Sequence, residues 1–283
     1  METLINPQGT NDQNPFNEGK TSQAYSRIDP IYEQSAIEAI NFVDPLKHNG
    51  AEGLVIDIGA GTGVSSEVIL KTGVKNLVLV EPSEAMLEQA IKRLADKAEY
   101  CKLHAEDLND KFNSNVDLAY ALNTFHLFTD LSKFLASIAC ALKPGGCFVF
   151  NISTPTYGFE KLSKEEIATI KANKDFYTKL NESAPNEILI YTIALLDKII
   201  DCDFTEVFTK DSVEQIFASV GMRLEDSTEV IIKMQADYQR NIWSMMAQSF
   251  VSDQKQIDDL VKSIELPEEL HIRQAIFKLV NQS

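Results

Sequence analysis

The sequence DIGAGTG at residues 57–63 decides the predicted fold of this chain. It overlaps the end of a short apolar run, Leu54–Ile58, and precedes a predicted helix at about residues 63 to 72. Three alternating glycines allow the backbone to turn sharply and to approach a ligand that no side chain obstructs. The next helix would present free N–H groups and the positive end of its dipole to that ligand. We therefore expect a ligand-binding loop at the carboxyl end of a buried strand.

Apolar runs and amphipathic segments alternate along the chain after this loop. Buried parallel strands are predicted where short apolar runs occur, at 54–58, 76–80, 100–103, 116–122 and 147–152. Amphipathic helices are predicted at 63–72, at 83–97 and from 130 to the Pro-Gly-Gly stop at 144–146. This alternation predicts an α/β fold, a Rossmann-like three-layer sandwich built on a mostly parallel sheet.

The regular alternation of predicted strands and helices ends after residue 154. The chain as a whole is predicted to have five regions. These are a flexible N-terminal arm at 1–24, a core at 25–154, a helical cap inserted at 155–205, a return to the core sheet at 206–236, and C-terminal helices at 237–283 that cover the substrate side. Ser163 and Glu166 form a predicted capping box that starts the insertion. The segment 187–200 is apolar throughout and fits a helix or a strand. Apolar spacing predicts two helices near the C-terminus, at about 257–264 and 270–280.

Composition excludes several classes of function. Asp and Glu outnumber Lys and Arg by 42 to 26, which gives a formal net charge of −16. Such a surface repels a nucleic-acid backbone, so we expect a small-molecule substrate. The sequence contains no run of eighteen apolar residues, so no membrane span is predicted. The first twenty residues are polar and lack the apolar core of a signal peptide. We therefore expect a cytoplasmic protein with no membrane partner.

The cysteines give no indication of a metal site. Cys101, Cys140, Cys147 and Cys202 have wide, irregular spacings without a CxxC pair. Reduced thiols in a cytosolic protein are the expected state. The sequence therefore predicts neither a zinc site nor a redox pair.

The glycine spacing discriminates between two cofactors. The dinucleotide fingerprint G-x-G-x-x-G/A needs a small residue at position 64, where this chain has Val64, and the third glycine falls one residue early. Asp57 would face the loop, where an anionic pyrophosphate is unfavourable. S-adenosylmethionine (AdoMet) carries a cationic ammonium and a cationic sulfonium, which suit an acidic loop. The pattern therefore favours AdoMet over NAD.

Three carboxylates lie at or just after the ends of three consecutive predicted strands. Asp57 lies at the end of the first strand, Glu81 lies at the end of the second, and Asp107 follows the third. A carboxylate at position 81 can accept hydrogen bonds from both ribose hydroxyls, and one at position 107 from an adenine amino group. Each acid alone is equally typical of a solvated loop or a helix cap. Together with the glycine loop they predict one adenosyl site.

These residues resemble the class I AdoMet-dependent methyltransferases over about residues 25 to 155. The loop at 57–63 is similar to that family's first motif, and Val80-Glu81-Pro82-Ser83 followed by Met86 is similar to its second. Ala105-Glu106-Asp107-Leu108 resembles the adenine-contacting segment, and Leu142-Lys143-Pro144-Gly145-Gly146 resembles the turn before the fifth strand. The resemblance implies a seven-stranded, mostly parallel sheet with an antiparallel last strand.

The resemblance also implies roles for individual residues. Glu81 would hold the ribose, Asp107 the adenine, and Asp57 with Gly59 the methionyl end. Met86 would pack on the adenine, although an ordinary core methionine fits the pattern equally well. The remaining residues predicted to contact the cofactor are Ala60, Gly61, Gly63, Pro82, Glu106, Leu108, Asn123 and Tyr25, the last as an aromatic residue closing the pocket from an N-terminal helix.

The segment 123–128 follows the fourth predicted strand, where this family faces its substrate. It lacks the Asn/Asp-Pro-Pro-Tyr/Phe motif of nucleic-acid amino-methylases, which argues against a nucleobase acceptor. His126 is the candidate general base, since imidazole titrates near neutral pH, but a pocket-wall or cofactor-contact role stays open. His48, His104 and His271 are interpreted as surface or structural residues.

The sequence thus predicts an enzyme that transfers a methyl group from AdoMet to a small molecule. The insertion at 155–205 and the segment 242–250 around Trp243 are expected to roof the acceptor site, unless the latter is simply the core face of a helix. Two alternatives stay open: a nucleotide-dependent oxidoreductase on a related fold, and a non-catalytic AdoMet-binding module.

Overall fold

The computed structural model describes residues 29–128, 130–153, 157–159, 161–201, 208–248 and 250–282. Strands and helices alternate in the first half. The elements there are α1 (Asp29–Phe42), α2 (Pro45–Asn49), β1 (Leu54–Ile58), α3 (Val64–Lys71), β2 (Asn76–Val80), α4 (Glu84–Leu94), β3 (Glu99–Cys101), β4 (Val116–Ala121), α5 (Leu131–Ala141) and β5 (Leu142–Ser153). The second half is richer in helix. Its elements are α6 (Lys164–Ser183), α7 (Glu187–Ile200), α8 (Lys210–Ala218), β6 (Met222–Gln235), α9 (Ala236–Ala247), α10 (Gln254–Lys262) and β7 (Glu269–Asn281).

The seven strands form one sheet in the order β3-β2-β1-β4-β5-β7-β6. Strand β1 pairs in parallel with β2 on one side and with β4 on the other. The chain therefore reverses its direction of winding between β1 and β4. In open α/β sheets this switch point is where ligands bind, beyond the carboxyl ends of the strands. The glycine loop follows β1 directly and so lies at this position.

The predicted fold class is confirmed. The sheet is mixed, with β7 antiparallel and helices flanking it, as in a Rossmann-like α/β fold. Four of the five residues of β1 and four of β2 are buried, which explains why both strands appear in the sequence as short apolar runs.

One predicted helix is wrong. The segment predicted as a helix at 270–280 is the strand β7. Among the described residues of the predicted C-terminal helical region 237–283, those up to 247 and those at 254–262 are helical. Ile276, Phe277 and Leu279 are all buried in this strand. A strand buried on both faces loses its two-residue alternation, and its apolar positions can then match a helical spacing. The ambiguous segment 187–200 is a helix, α7.

The chain forms two compact units. The first, called the sheet unit, comprises the described residues within Glu2–Ile152, Lys210–Val230 and Ala275–Ser283. Its core packs α1, α3 and α4 against one face of the sheet through aliphatic residues such as Ile40, Ile69 and Leu94.

The second, called the helical unit, comprises the described residues within Ser153–Thr209 and Ile231–Gln274. Trp243 is fully buried at its centre and stacks on Phe176, with ring centroids 4.9 Å apart. The indole Nε1–H donates to Asn173 Oδ1 at 2.9 Å. This environment favours the interpretation of the Trp243 stripe as the core face of a helix. None of the helices that the structure describes is long and apolar enough to cross a membrane.

Candidate functional site

The glycine loop, residues 59–63, makes a tight turn between β1 and α3. Gly59, Gly61 and Gly63 all adopt the left-handed region, with φ of 66°, 54° and 82°. The main-chain N–H groups of Gly59 and Ala60 donate to the carbonyl oxygen of Val80, at 2.8 and 3.2 Å. Left-handed backbone is accessible to glycine without the steric penalty of a Cβ atom. The loop is therefore pinned to the carboxyl end of β2, next to Glu81.

The three glycines have different surroundings. A Cβ atom on Gly59 would lie 2.2 Å from Thr124 Oγ1, so this position has no room for a side chain. A Cβ on Gly63 would lie 3.2 Å from the Ala90 Cβ of α4, so this glycine allows the loop to pack closely on that helix. A Cβ on Gly61 would meet nothing within 4 Å in the part of the chain that the structure describes. The open space beside Gly61 is where a ligand can approach the backbone.

Glu81 is buried behind this open space. Its Oε2 accepts from the N–H of Gly61 at 3.0 Å, and its Oε1 accepts from the N–H of Ser83 at 2.9 Å. Burial raises the pKa of Glu81, an effect that the two main-chain donors oppose. Each carboxylate oxygen has a second lone pair. The fixed carboxylate can therefore accept two more hydrogen bonds, as a vicinal diol would require.

Asp57, on β1, is almost fully buried. The hydroxyls of Ser65 and Ser66 both donate to its Oδ2 at 2.6 Å. Its Oδ1 is also buried and has no hydrogen-bond partner among the residues described. Burial raises the pKa of Asp57 to about 6, although the two hydroxyls oppose this change. A buried oxygen without a donor is costly, and a cationic ligand group, alone or through water, would complete its coordination.

Asp107 and Glu106 lie on a short 3-10 segment, Ala105–Asp110, that follows β3. Asp107 is partly exposed and forms an ion pair with Lys133 of α5. Glu106 is buried, and its Oε1 accepts from the N–H of Asp130 at 3.3 Å. Leu108 is fully buried in the core. These contacts tie the segment to the start of α5, and the adenine role of Asp107 stays a prediction.

A polar cluster joins the carboxyl ends of β4 and β5 to α1. Asn123 has a φ of 56°, which is unusual for a residue other than glycine. Its N–H donates to Asn151 Oδ1 at 2.6 Å, and its Nδ2 donates to Ser35 Oγ at 3.0 Å. Asn151 Nδ2 also donates to Ser35 Oγ, at 2.8 Å. Sequence reasoning assigned no role to Ser35 or Asn151, although an asparagine inside the apolar run FVFNI was a visible signal.

Residues 56–150 match the family model described as a methyltransferase domain. The match begins in β1, ends in β5, and includes the glycine loop, Glu81, Asp107 and Asn123. Residues 56–150 therefore form a methyltransferase domain, and this match supports a class I AdoMet-dependent methyltransferase.

Curated relatives of this methyltransferase domain are distant. The probable S-adenosylmethionine-dependent methyltransferase CRG1 of Saccharomyces cerevisiae is 28% identical over 48% of this chain and 46% of its own length. The demethylmenaquinone methyltransferase of Clavibacter sepedonicus is 31% identical over 46% of this chain and 57% of its own length. The chain thus spans about half the length of the curated relatives it matches.

Solved structures resemble the domain in fold. The YcgJ protein of Bacillus subtilis superposes with a TM-score of 0.56 at 16% identity, over 88% of this chain and 99% of its own. A chain from the complex between the Trm112 methyltransferase activator and a methyltransferase of Haloferax volcanii gives a TM-score of 0.55 at 15% identity, over 94% of this chain and 96% of its own.

AdoMet is the cofactor of this methyltransferase domain, and the residues present fit it. The buried, unpartnered Oδ1 of Asp57 suits the cationic methionyl end. Glu81 has acceptor capacity for the ribose, and the space at Gly61 gives the ligand access to the backbone. Ala60 and Met86 are buried, and Pro82 is half-buried between Glu81 and the start of α4. Burial of Met86 is compatible with both of its predicted interpretations.

His104, interpreted from the sequence as a surface or structural residue, lies near Glu81. It is exposed at the end of the stretch after β3, next to the segment Ala105–Asp110. Burial raises the pKa of Glu81; the N–H groups of Ser83 and Gly61 oppose this rise most, and the charge interaction with His104 opposes it least. His104 therefore lies close enough to the domain's predicted ribose carboxylate to influence it. Its position directly after the third predicted strand was the only signal in the sequence.

His126 lies on the 3-10 turn Phe125–Leu127 and is exposed. Partial desolvation by the surrounding protein lowers the pKa of His126, and the solvent contact of the exposed side chain limits this change. The imidazole is therefore neutral at physiological pH, but it is a weaker base than an ordinary histidine. Leu127, beside it, is exposed as well.

Arg93 of α4 anchors α1 to the glycine loop of the methyltransferase domain. Its Nε donates to the carbonyl oxygen of Thr62 at 3.0 Å, and its guanidinium forms ion pairs with Asp29 and Glu67. Asp29 is the first residue of α1. Tyr25, the predicted pocket-closing residue, and the predicted arm at 1–24 lie outside the described residues.

Proposed function

We propose that this protein is a methyltransferase that transfers the methyl group of AdoMet to a small-molecule acceptor by in-line displacement. The observation that carries the proposal is the pair of buried carboxylates at the switch point. Glu81 is held by Gly61 and Ser83, and Asp57 has a buried oxygen without a partner among the described residues. The two carboxylates together suit a ligand that combines a diol with a cationic amino-acid end.

The chain's own residues would bind and orient the reactants. AdoMet, when bound, supplies a methyl group that its sulfonium already activates. Asp57 would neutralise the methionyl ammonium, and Glu81 would fix the ribose against the glycine loop. Alignment of two reactants can contribute about 7–11 kcal/mol to a lower barrier, so no single side chain need act on the acceptor.

A small-molecule acceptor is supported by the net charge of −16, which disfavours nucleic acid. The names of the relatives span several acceptors, including demethylmenaquinone, the N-terminus of cypemycin and malonyl-acyl-carrier protein. The cap role of 155–205 and a cytoplasmic location stay predictions.

Two measurements test the proposal. Isothermal titration of the full chain with AdoMet should show one saturable site, and the absence of binding would overturn the assignment. A homocysteine-release assay across acids, amines and phenols should then identify an acceptor. Tight AdoMet binding without turnover on any acceptor would favour a non-catalytic AdoMet-binding module, and binding of NAD(H) in place of AdoMet would favour an oxidoreductase.

A further inference from the structure

Ser35, Asn123 and Asn151 form a cluster at the carboxyl edge of the sheet, in which Ser35 and Asn151 are buried and Asn123 is half-buried. Ser35 comes from α1, Asn123 follows β4, and Asn151 belongs to β5. Four hydrogen bonds between the three side chains measure 2.8 to 3.3 Å, and a fifth joins Asn151 to the main chain of Asn123. Elements more than 80 residues apart in sequence are therefore fixed to one another at this point.

Stability alone does not account for this cluster. Val149 precedes Asn151 by two residues on the same face of β5 and is buried in the aliphatic core, so an apolar side chain at position 151 would continue that core. A buried amide must be hydrogen-bonded, or it costs about 1–3 kcal/mol. A fully connected polar network fixes one arrangement of its members more strictly than apolar packing does. The cluster therefore specifies a geometry.

The geometry that it specifies is the backbone at Asn123. A left-handed conformation costs a residue with a side chain roughly 1–2 kcal/mol, somewhat less for asparagine. Asn151 Oδ1 holds the N–H of Asn123, and Ser35 holds its side chain. Such an unfavourable backbone persists when the surroundings over-determine it, and it is typical of functional sites.

The conformation of Asn123 sets the course of the turn that follows. Thr124, the next residue, is buried, and its side chain fills the space beside Gly59 where a Cβ would otherwise lie. Phe125 anchors the same turn by stacking on Phe150, with ring centroids 4.5 Å apart. The turn and the glycine loop are thus in direct contact, and a shift at Asn123 would move the surface that Thr124 presents to Gly59.

We propose that Asn151 is a positioning residue for the AdoMet site, acting with Ser35 through Asn123. It holds Asn123 in the left-handed conformation, which keeps Thr124 against Gly59. The contact fixes the part of the glycine loop that is predicted to bind the methionyl end of AdoMet. This inference rests on the proposed function, since it requires that the loop binds AdoMet.

The variant Asn151→Leu tests the inference, with Asn281→Leu as its matched control. Asn281 is another buried asparagine of the sheet unit, and its Nδ2 donates to the carbonyl oxygens of Ala139 and Leu142, at the start of β5. Isothermal titration with AdoMet should show at least tenfold weaker binding for Asn151→Leu and a change of less than twofold for Asn281→Leu. Thermal unfolding of both variants reports the purely structural loss.

A second pair of variants covers the case in which Asn151→Leu does not fold. Ser35→Ala removes the hydroxyl of the cluster. Its control, Thr169→Val, removes a buried hydroxyl of the helical unit that donates to the carbonyl oxygen of Glu165 and accepts from the N–H of His271. AdoMet affinity should fall at least threefold for Ser35→Ala only. Equal affinity losses in each variant and its control would overturn the inference while leaving the proposed function intact, whereas a wild-type chain that does not bind AdoMet overturns both.

Discussion

The main-chain N–H of Gly61 donates a hydrogen bond to Oε2 of Glu81, with the two atoms 3.0 Å apart. This bond joins the loop after β1 to the acid after β2. The loop conformation and the carboxylate position therefore depend on each other, and the two motifs recognised separately in the sequence form one binding surface. Removal of either partner should disturb the other.

Loss of the Glu81 carboxylate should abolish tight AdoMet binding. We expect Glu81→Ala to weaken the affinity at least about 100-fold, because hydrogen bonds to a charged group contribute about 1.5–3 kcal/mol each. Isothermal titration measures the change. Glu84→Ala is the control, since Glu84 is exposed on the next helix and pairs only with Lys102 among the contacts described. Unchanged affinity in Glu81→Ala would contradict the assignment.

A methyl group on Gly61 should obstruct the ligand. Gly61→Ala and Gly145→Ala both place a Cβ on a left-handed backbone, and neither Cβ meets an atom within 4 Å in the described structure. Both variants should lose about 1–2 kcal/mol of unfolding free energy. Only Gly61→Ala should also weaken AdoMet binding, by at least tenfold in titration. A parallel loss of affinity in Gly145→Ala would show that strain alone explains the effect.

The buried Asp57 should make the free protein less stable as the pH rises. Its pKa is raised from 3.8 to about 6 in the folded state. Between these values the folded chain binds more protons than the unfolded chain, so the contribution of Asp57 to the free energy of unfolding is largest below about pH 4 and decreases as the pH rises to 6. The change amounts to at most about 3 kcal/mol, at about 1.4 kcal/mol per pKa unit.

Urea unfolding between pH 4 and pH 7 measures this contribution. Since the substituted amide side chain carries no titrating proton, Asp57→Asn should remove the decrease in unfolding free energy over this window, relative to the wild-type chain. An identical pH dependence in both proteins would show that Asp57 titrates near its ordinary value.

AdoMet affinity should depend on pH in the opposite direction. The ionised form of Asp57 attracts the cationic methionyl end, and the carboxylate forms above a pKa of about 6. Binding should therefore tighten about tenfold or more between pH 5 and pH 7.5. Titrations of Asp57→Asn should give weaker binding with a flatter profile.

His126 should not be essential for turnover. Desolvation lowers the pKa of His126 below its ordinary value, so its imidazole is a weaker base than that of an ordinary histidine. General-base catalysis typically contributes 100-fold or more, so we expect His126→Ala to lower kcat by less than about tenfold at pH 7.5. The measurement is an initial-rate assay with an acceptor found in the panel. A fall in kcat of several hundredfold would assign His126 as the base if the variant also lost an inflection that the wild-type pH–rate profile shows.

The local features of this protein could be predicted from its sequence. The loop at 57–63, the strands before and after it, and the positions of Asp57 and Glu81 beside that loop follow from backbone requirements and burial patterns within a few neighbouring residues. Glycine is needed where φ is positive, and buried parallel strands need continuous apolar runs. These rules do not depend on distant parts of the chain.

Only the tertiary structure decided the rest, because it depends on residues far apart in sequence. The strand β7 takes its conformation from its place in the sheet, against a spacing that also fits a helix. Ser35 and Asn151, 116 residues apart, gain a role only when α1 and β5 meet. The raised pKa of Asp57 likewise requires burial, which no local pattern specifies. The sequence specifies the chemical groups of the side chains, but their desolvation and their hydrogen-bond partners arise only when the chain folds.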